Sequence, residues 1–220
     1  MPWAIGADRM TKLVHRERLA QGDAAGLLVL HHGRGSDEQD LLPLADALDP
    51  HRRLHVVTPR APLTLSGGPG YHWYLVPRVG YPDGGTFHAA YQALAEFHDQ
   101  LWQRFELGPD RTVLGGFSMG SVMSYSLGLG PDRPPPAGIL AFSGFVPTVD
   151  GWKPQIPRST VAFIAHGRAD AVMDVEFARA ARRLLEEAGM EVEYRESDVG
   201  HTIDPTSIPA AASRLQRMIP

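Results

Sequence analysis

A serine between two glycines is the residue of this chain best suited to nucleophilic chemistry. Ser118 lies in the run 112–120, TVLGGFSMG, with Gly116 and Gly120 on either side. A serine hydroxyl is a poor nucleophile until a neighbouring base takes its proton. A Gly-x-Ser-x-Gly motif is weak evidence of catalysis on its own, because a glycine-rich chain contains it by chance fairly often. Acyl transfer is therefore predicted only if a base and an acid follow at suitable places.

His201 is the candidate base that its place in the chain favours. It lies in VGHTIDP, between the last predicted strand and the last predicted helix; a surface histidine near a turn is the alternative. His31 and His32 also end a predicted strand, but the glycines after them indicate another role. His166 ends TVAFIAHG and is expected to support its loop by hydrogen bonding. The other histidines are expected to be structural or solvated: His15, His51, His55, His72, His88 and His98.

Asp170, in HGRAD, is the candidate acid that would orient the imidazole and stabilise its charged form. It follows a predicted strand and gives the chain order Ser118, Asp170, His201, which is the order used by α/β-hydrolases. Two other aspartates compete for this role. Asp174 is better interpreted as a helix N-cap, and Asp198 lies too near His201 in sequence for comfortable side-on pairing.

Two backbone N–H groups are predicted to stabilise the negative charge that develops on a carbonyl oxygen during acyl transfer. One belongs to Met119, at the N-terminus of a predicted helix, where unpaired amides and the helix dipole favour negative charge. The other is expected from Arg34, between Gly33 and Gly35, although these glycines also fit a simple turn with positive φ. A dinucleotide-binding fingerprint fails here, because its third glycine would fall at Glu38.

The elements that must position these residues alternate between strand and helix. Apolar or alternating runs predict an edge strand at 12–20 and further strands at 26–32, 54–58, from 112, 138–142, 160–165 and 191–195. The alternation implies right-handed crossovers and an α/β fold with a doubly wound, mostly parallel sheet. Ligands on such sheets bind at the carboxyl ends of the strands, where the candidate residues are predicted to lie.

The helices are predicted from caps and apolar spacing. Asp37 or Asp40 is expected to cap the first helix, and Pro43, best tolerated in a first turn, favours Asp40. Thr86 is expected to cap the second helix, and Asp174 to open the fourth. The third follows Ser118, and the last spans 205–219. The inward-facing residues of the first three are Leu41, Leu44, Ala45 and Leu48; Phe87, Tyr91, Leu94, Phe97, Leu101 and Phe105; and Val122, Tyr125 and Leu129.

Composition excludes several classes of protein. With 220 residues, 43% hydrophobic and 21% charged, the chain is expected to form one globular domain over residues 1–220. Its net charge of −4 argues against nucleic acid or an acidic membrane as partner. The absence of cysteine excludes disulfides, thiolate metal sites and a cysteine nucleophile. No signal peptide or membrane span is visible, so a cytoplasmic protein is expected.

Six motifs, found in the same order from about Leu27 to the C-terminus, together resemble one family. They are LHHGRGSDEQDLLPLA, SGGPGYHWY, GGFSMGS, FSG, HGRAD and GHTI. The chain resembles the bacterial carboxylesterase/lysophospholipase family that also contains acyl-protein thioesterases. The resemblance implies an α/β-hydrolase fold and a serine hydrolase acting on esters or thioesters of modest size. It also implies that no cofactor is needed. Members of the family are often dimeric, so a homodimer is possible.

The resemblance assigns roles to the residues already singled out. It implies Ser118 as nucleophile, Asp170 as acid, His201 as base, and Arg34 and Met119 as oxyanion donors. Its substrate loop matches residues 67–74, so Trp73 would line the pocket. The thioesterases usually carry Gln at the position of Met119, and the family often has proline at the position of Ala171. These two departures favour a carboxylesterase over an acyl-protein thioesterase with a protein substrate; a lysophospholipase is a further alternative.

The predicted cleft is open. Between Phe142 and Thr160 the chain is too short for a separate cap domain, so only the Gly- and Pro-rich region 66–85 would cover the site. Tyr71, Trp73 and Tyr74 offer apolar surface for an acyl or aryl group; alternatively, they fill the core beneath the loop. Short- to medium-chain esters are the predicted substrates. A non-catalytic relative that binds a ligand or partner is the alternative from another class, although such a relative usually lacks one member of the triad.

Overall fold

A computed structural model describes residues 4–6 and 13–219, and an eight-stranded sheet lies at the centre of this described part. The strands are β1 Ala4–Gly6, β2 His15–Arg18, β3 Gly26–His31, β4 Leu54–Pro59, β5 Leu63–Thr64, β6 Tyr71–His72, β7 Thr112–Phe117, β8 Gly138–Phe142, β9 Val161–Gly167 and β10 Glu191–Ser197. The sheet order is β1-β2-β4-β3-β7-β8-β9-β10, whereas β5 and β6 pair separately. In the eight-stranded sheet, the six neighbouring strands β4, β3, β7, β8, β9 and β10 are parallel to one another. Strand β2 pairs with β4 in the antiparallel direction, and β1 pairs with β2 in the same way.

Five α-helices cover the two faces of the sheet within the described residues. They are α1 Leu42–Leu48, α2 Gly84–Phe105, α3 Met119–Gly128, α4 Val175–Glu187 and α5 Ile208–Met218. Alternate residues of β3 enter different cores. Leu27 and Val29 pack into the core shared with α2, α3 and α4, and Leu28 and Leu30 into the core shared with α1 and α5. The predicted doubly wound, mostly parallel sheet is therefore confirmed.

Most predicted elements form where the sequence places them. The strand Gly138–Phe142 has the predicted bounds, and Asp174 caps α4 by accepting from the N–H of Glu176 at 2.9 Å. Gly189, just beyond α4, has the positive φ expected of a helix terminator. Residues 143–160 contain no helix or strand, in keeping with an α/β-hydrolase that lacks a separate cap domain. No helix in the described part of the chain has the length and apolarity needed to cross a bilayer.

Three local predictions are corrected. The strand predicted at 12–20 is β2, and it is not the edge, because β1 pairs with its outer side; residue 12 lies outside the described residues. Neither Asp37 nor Asp40 caps α1, which begins after Leu41 without a side-chain cap, because the Asp37 carboxylate accepts from Gln39 N–H in a preceding turn. The Gly- and Pro-rich region 66–85, in which no strand was predicted, contains β6, which pairs with β5 just before it.

The cap of α2 is also corrected. Asp83, not Thr86, is the N-cap, and its carboxylate accepts from both the N–H and the hydroxyl of Thr86, at 2.9 and 2.7 Å. Within the helix, Phe87, Leu94 and Phe97 are buried as predicted, whereas Tyr91 and Phe105 are only partly buried. The helix therefore starts three residues earlier than the sequence indicated.

Candidate active site

The turn from β7 to α3 holds Ser118 in a conformation that few serines adopt. Its φ is 54° and its ψ is −120°, and it is the residue that separates strand from helix. Positive φ in a residue with a Cβ is strained and persists only where the surroundings impose it. The Ser118 N–H donates to the carbonyl of Phe142 on the neighbouring strand at 2.9 Å, which fixes the turn to the sheet.

The two glycines that flank the serine allow this turn to pack. A Cβ on Gly120 would lie 1.9 Å from the carbonyl oxygen of His31, and a Cβ on Gly116 would lie 2.5 Å from the carbonyl carbon of Gly120. Both separations are far below contact distance, and both neighbours are backbone atoms that cannot swing away. Any residue with a Cβ would therefore be incompatible with this packing at either position.

A continuous line of hydrogen bonds joins the three candidate side chains. The Oγ of Ser118 lies 2.9 Å from Nε2 of His201, and Nδ1 of His201 lies 2.7 Å from Oδ2 of Asp170. Each residue follows a strand: Ser118 follows β7, Asp170 follows β9 and His201 follows β10. Because these strands are parallel, their carboxyl ends meet at one edge, and residues up to 83 positions apart come within hydrogen-bonding distance.

The carboxylate of Asp170 is held in its charged form. Burial tends to raise its pKa, but hydrogen bonds from His201 and from the N–H groups of Met173 and Val172 outweigh this effect and lower the pKa. The two N–H groups contact Oδ1 at 2.8 and 2.9 Å, which leaves Oδ2 for the imidazole. His166 lies behind the carboxylate, and its Nε2 is 2.8 Å from the Met173 carbonyl, so it supports this loop as predicted.

The competing aspartates are occupied elsewhere. Asp174 caps α4, and Asp198 is an exposed residue that accepts from Nε of Arg168 at 2.8 Å. Neither contacts His201 in the described hydrogen bonds. The geometry around the imidazole therefore favours Asp170.

The two candidate oxyanion donors line the same cavity as Ser118. Met119 is the first residue of α3, and Arg34 lies on the turn after β3. No acceptor for either backbone N–H is found among the described residues. Unpaired N–H groups beside a serine are the arrangement that stabilises a developing oxyanion.

A cavity of about 330 Å³ opens over Ser118 and His201. Much of its wall comes from one exposed stretch, residues 76–82, which we call the wall segment. The apolar residues that line the cavity could not be identified from the sequence, because they carry no periodicity: Val76, Val79, Tyr81, Phe145, Val172 and Met173. Among the described residues no group of three or more His, Asp or Glu side chains could hold a metal ion.

Of the three aromatic residues predicted to contact substrate, only Tyr74 lies at the cavity wall. The prediction for Trp73 is corrected: its side chain is fully buried, with Nε1 donating to the His32 carbonyl at 2.9 Å. Tyr71 does not line the cavity either, and its hydroxyl oxygen accepts a hydrogen bond from Arg60 at 3.1 Å. Trp73 fits the alternative stated from the sequence, a residue that fills the core beneath the loop.

Fold and site together define the class of protein. A mostly parallel sheet with helices on both faces and a serine on a strand-to-helix turn is the arrangement of α/β-hydrolases. The family model described as phospholipase/carboxylesterase matches residues 19–219, and the chain belongs to that family. Its hydrolase class, of the carboxylesterase and acyl-protein thioesterase type, follows from this membership.

Individual relatives agree with the family. Acyl-protein thioesterase 1 of Aspergillus fumigatus is 32% identical over 119 residues, which cover 51% of this chain and 49% of that protein, so the chain spans about half of its length. Esterase YpfH of Escherichia coli strain K12 is 27% identical over 201 residues, covering 90% of this chain and 84% of that protein. The crystal structure of esterase PE8 superposes with a TM-score of 0.82 at 30% identity, covering 94% of this chain and 100% of that one.

Proposed function

We propose that the protein is a serine carboxylesterase that hydrolyses short- to medium-chain esters through an acyl-enzyme on Ser118. The observation that carries the proposal is the unbroken hydrogen-bond line from Ser118 through His201 to Asp170 at the floor of an open cavity. A relative that has lost catalytic activity would be expected to lack one of these three residues. A non-catalytic binding role is therefore disfavoured.

In the first half of the reaction, Oγ of Ser118 attacks the ester carbonyl carbon while Nε2 of His201 takes the hydroxyl proton. The carbonyl oxygen becomes an oxyanion, which the N–H groups of Arg34 and Met119 stabilise. Asp170 holds Nδ1 of the imidazole and stabilises the imidazolium. The proton on Nε2 then passes to the leaving alcohol as the bond between carbon and alcohol oxygen breaks, which leaves the acyl-enzyme.

Water completes the cycle by the same route. His201 takes a proton from water as its oxygen attacks the acyl carbon, and the second oxyanion forms between the same two N–H groups. Collapse returns the proton to Oγ of Ser118 and releases the carboxylic acid. The balance requires only ester and water.

The cavity supports the proposed size of substrate. About 330 Å³ lies at the low end of the range for small-molecule sites, and the cavity opens to solvent beside the wall segment. Several of its side chains are apolar, including Val76, Val79 and Phe145, which suits an acyl chain of a few carbons. Acyl-protein thioesterase activity is the second candidate, favoured by the names of the fungal relatives.

The test combines labelling with a substrate panel. Intact-mass measurement after fluorophosphonate treatment should show one adduct located at Ser118, with Ser118→Ala unlabelled and the exposed Ser66→Ala labelled like wild type. Labelling at another residue, or none, contradicts the nucleophile. On p-nitrophenyl esters from acetate to palmitate, kcat/KM should be highest for the short chains. A greater kcat/KM on palmitoyl-peptide thioesters than on butyrate esters would select the thioesterase instead.

A further inference from the structure

His32 is a buried histidine whose two ring nitrogens both face backbone groups. Nε2 lies 3.0 Å from the N–H of Ala61, and Nδ1 lies 2.7 Å from the carbonyl oxygen of Gly33. A backbone N–H can only donate, so Nε2 must be the unprotonated nitrogen. Nδ1 therefore carries the hydrogen and donates it to Gly33. The two contacts together specify one tautomer of the ring.

The same surroundings keep this ring neutral. Burial lowers the pKa of His32, and this effect exceeds the opposing one of the hydrogen bond to Gly33. A neutral ring can accept at Nε2 and donate at Nδ1 simultaneously, whereas a charged ring would lose the contact with Ala61. The arrangement thus persists at the pH values at which an esterase of this kind would work.

The carbonyl that His32 holds belongs to the same peptide unit as the N–H of Arg34. In a planar trans peptide the C=O and the N–H point in opposite directions. Fixing the Gly33 carbonyl toward His32 therefore aims the Arg34 N–H away from it. This peptide lies beside the nucleophile, because a Cβ built on Gly33 would be 3.5 Å from Cβ of Ser118, and Arg34 lines the cavity.

Trp73 contacts His32 and Met119, which both belong to this arrangement. Its indole ring lies 5.2 Å from the His32 ring, and its Nε1 donates to the His32 carbonyl. Its backbone N–H points at Sδ of Met119, 3.2 Å away. One buried residue therefore contacts both the histidine behind the first oxyanion donor and the side chain of the second donor.

We propose that His32 is a positioning residue that orients the Gly33–Arg34 peptide so that the Arg34 N–H faces the oxyanion. The inference rests on the proposed function, since it assumes a reaction that develops an oxyanion at Ser118. His32 contacts no reacting atom and acts through the peptide that it holds. Loss of one oxyanion donor costs about 10²–10³ in kcat in other enzymes, which bounds the expected effect.

Two substitutions separate the two nitrogens. In His32→Asn the side-chain N–H₂ takes the place of Nδ1 and still donates to Gly33. In His32→Gln the side-chain oxygen takes the place of Nε2 and accepts from Ala61, but the donation to Gly33 is lost. We expect His32→Gln to lower kcat about 100-fold with KM changed less than about threefold, and His32→Asn to retain kcat within about tenfold of wild type.

A transition-state analogue and a distant variant provide the controls. An alkyl trifluoromethyl ketone, which adds to Ser118 as a tetrahedral oxyanion, should bind more weakly to His32→Gln by the factor by which kcat falls. His55→Gln replaces a histidine that also accepts a backbone N–H, from Ala20 at 3.1 Å, and should leave kcat unchanged. Equal losses in the Asn and Gln variants, or unchanged inhibitor affinity in His32→Gln, would overturn the proposal.

The wild-type protein supplies a test that needs no variant. Nitrogen-15 chemical shifts of the His32 ring should show hydrogen on Nδ1 and none on Nε2 between pH 6 and 8. A ring protonated at Nε2 contradicts the inference whatever the variants do. Failure of the proposed function would instead appear as wild-type protein without esterase activity or Ser118 labelling.

Discussion

The floor of the cavity and its wall segment are built in opposite ways. By the floor we mean Ser118, which lines the cavity, together with Asp170 behind it and the contacts of both at the ends of packed parallel strands; both residues are 8% exposed. The wall segment leaves Val79 40% and Tyr81 52% exposed, on a stretch with little regular structure. The floor fixes where the proposed chemistry occurs, whereas the wall can change without disturbing the sheet. Substitutions in the two regions should therefore have effects of different kinds and sizes.

The largest expected effect is on the floor. Asp170→Asn should lower kcat by about 10⁴, the loss seen for the equivalent change in a serine protease, because an amide favours the wrong tautomer of His201. Circular dichroism should be unchanged, since the amide oxygen can still accept from the N–H groups of Val172 and Met173. Steady-state kinetics on p-nitrophenyl butyrate measures the loss. A variant with more than a tenth of wild-type kcat would contradict the assignment of the acid.

The second effect concerns the stability of the floor. Gly120→Ala should lower the free energy of unfolding by about 3 kcal/mol or more, because the added Cβ meets the His31 carbonyl at 1.9 Å. Gly68→Ala is the matched control: its Cβ would meet nothing within 4 Å, so the change should be within about 0.5 kcal/mol or slightly stabilising. Urea denaturation measures both, and equal values for the two variants would contradict the packing argument.

Near the turn from β7 to α3, a chain of buried hydrogen bonds makes the floor sensitive to acid. His31 lies 2.9 Å from Ser124 through Nδ1 and 3.3 Å from His98 through Nε2. Burial, together with the neighbouring His32, lowers the pKa of His31 to about 3, and burial also lowers the pKa of His98 well below its usual value. Both rings are therefore neutral in the folded protein. Below about pH 6.5 the unfolded chain binds protons that the folded protein excludes.

The third prediction follows from this difference in proton binding between the unfolded and the folded protein. The free energy of unfolding should fall as pH decreases from about 6.5 toward 3, by up to about 1.4 kcal/mol per pH unit for each histidine. Urea titrations at pH 7.0 and 5.0 measure the slope. His98→Gln should reduce this slope by about one proton. A pH-independent wild type would show that the pair is not buried neutral.

The fourth prediction tests the wall. Val79→Ser should lower the ratio of kcat/KM for butyrate over acetate by roughly three- to tenfold, because the side chain lines the cavity but remains partly solvated. Leu184→Ser is the control, since Leu184 is equally exposed at 39% but does not line this cavity. Unfolding temperatures of both should match wild type. A larger selectivity change in Leu184→Ser would place the acyl group elsewhere.

The sequence allowed the floor to be predicted better than the wall segment. Strands such as Gly138–Phe142 were found because buried parallel strands are continuous apolar runs, and the edge where their ends meet follows from topology. Ser118, Asp170 and His201 were brought together by that reasoning alone. Their catalytic roles stay predictions. The glycines on either side of Ser118 have a steric reason, because a sharp turn leaves no room for a Cβ there.

The failures lie where tertiary packing decides between equivalent local choices. Asp83 and Thr86 are both good N-caps, and the intervening glycines are poor helix formers, so the sequence indicated the later start. Trp73 belongs to a Gly- and Pro-rich loop, and nothing local shows that its indole turns inward to the His32 carbonyl. The apolar residues of the wall segment follow no helical or strand period, so their exposure could not be read from sequence.

The smallest expected effect separates the acid from its nearest rival in sequence. Asp198 is three residues from His201, yet its carboxylate is 86% exposed and is paired with Arg168, itself 45% exposed. Such exposed pairs contribute little to stability, and this one does not contact the imidazole in the described hydrogen bonds. Asp198→Asn should therefore keep kcat within about twofold of wild type, where Asp170→Asn loses about 10⁴. Side-by-side kinetics with matched circular dichroism decides the matter. If Asp198→Asn is the inactive variant, the line from Ser118 to Asp170 does not carry the reaction.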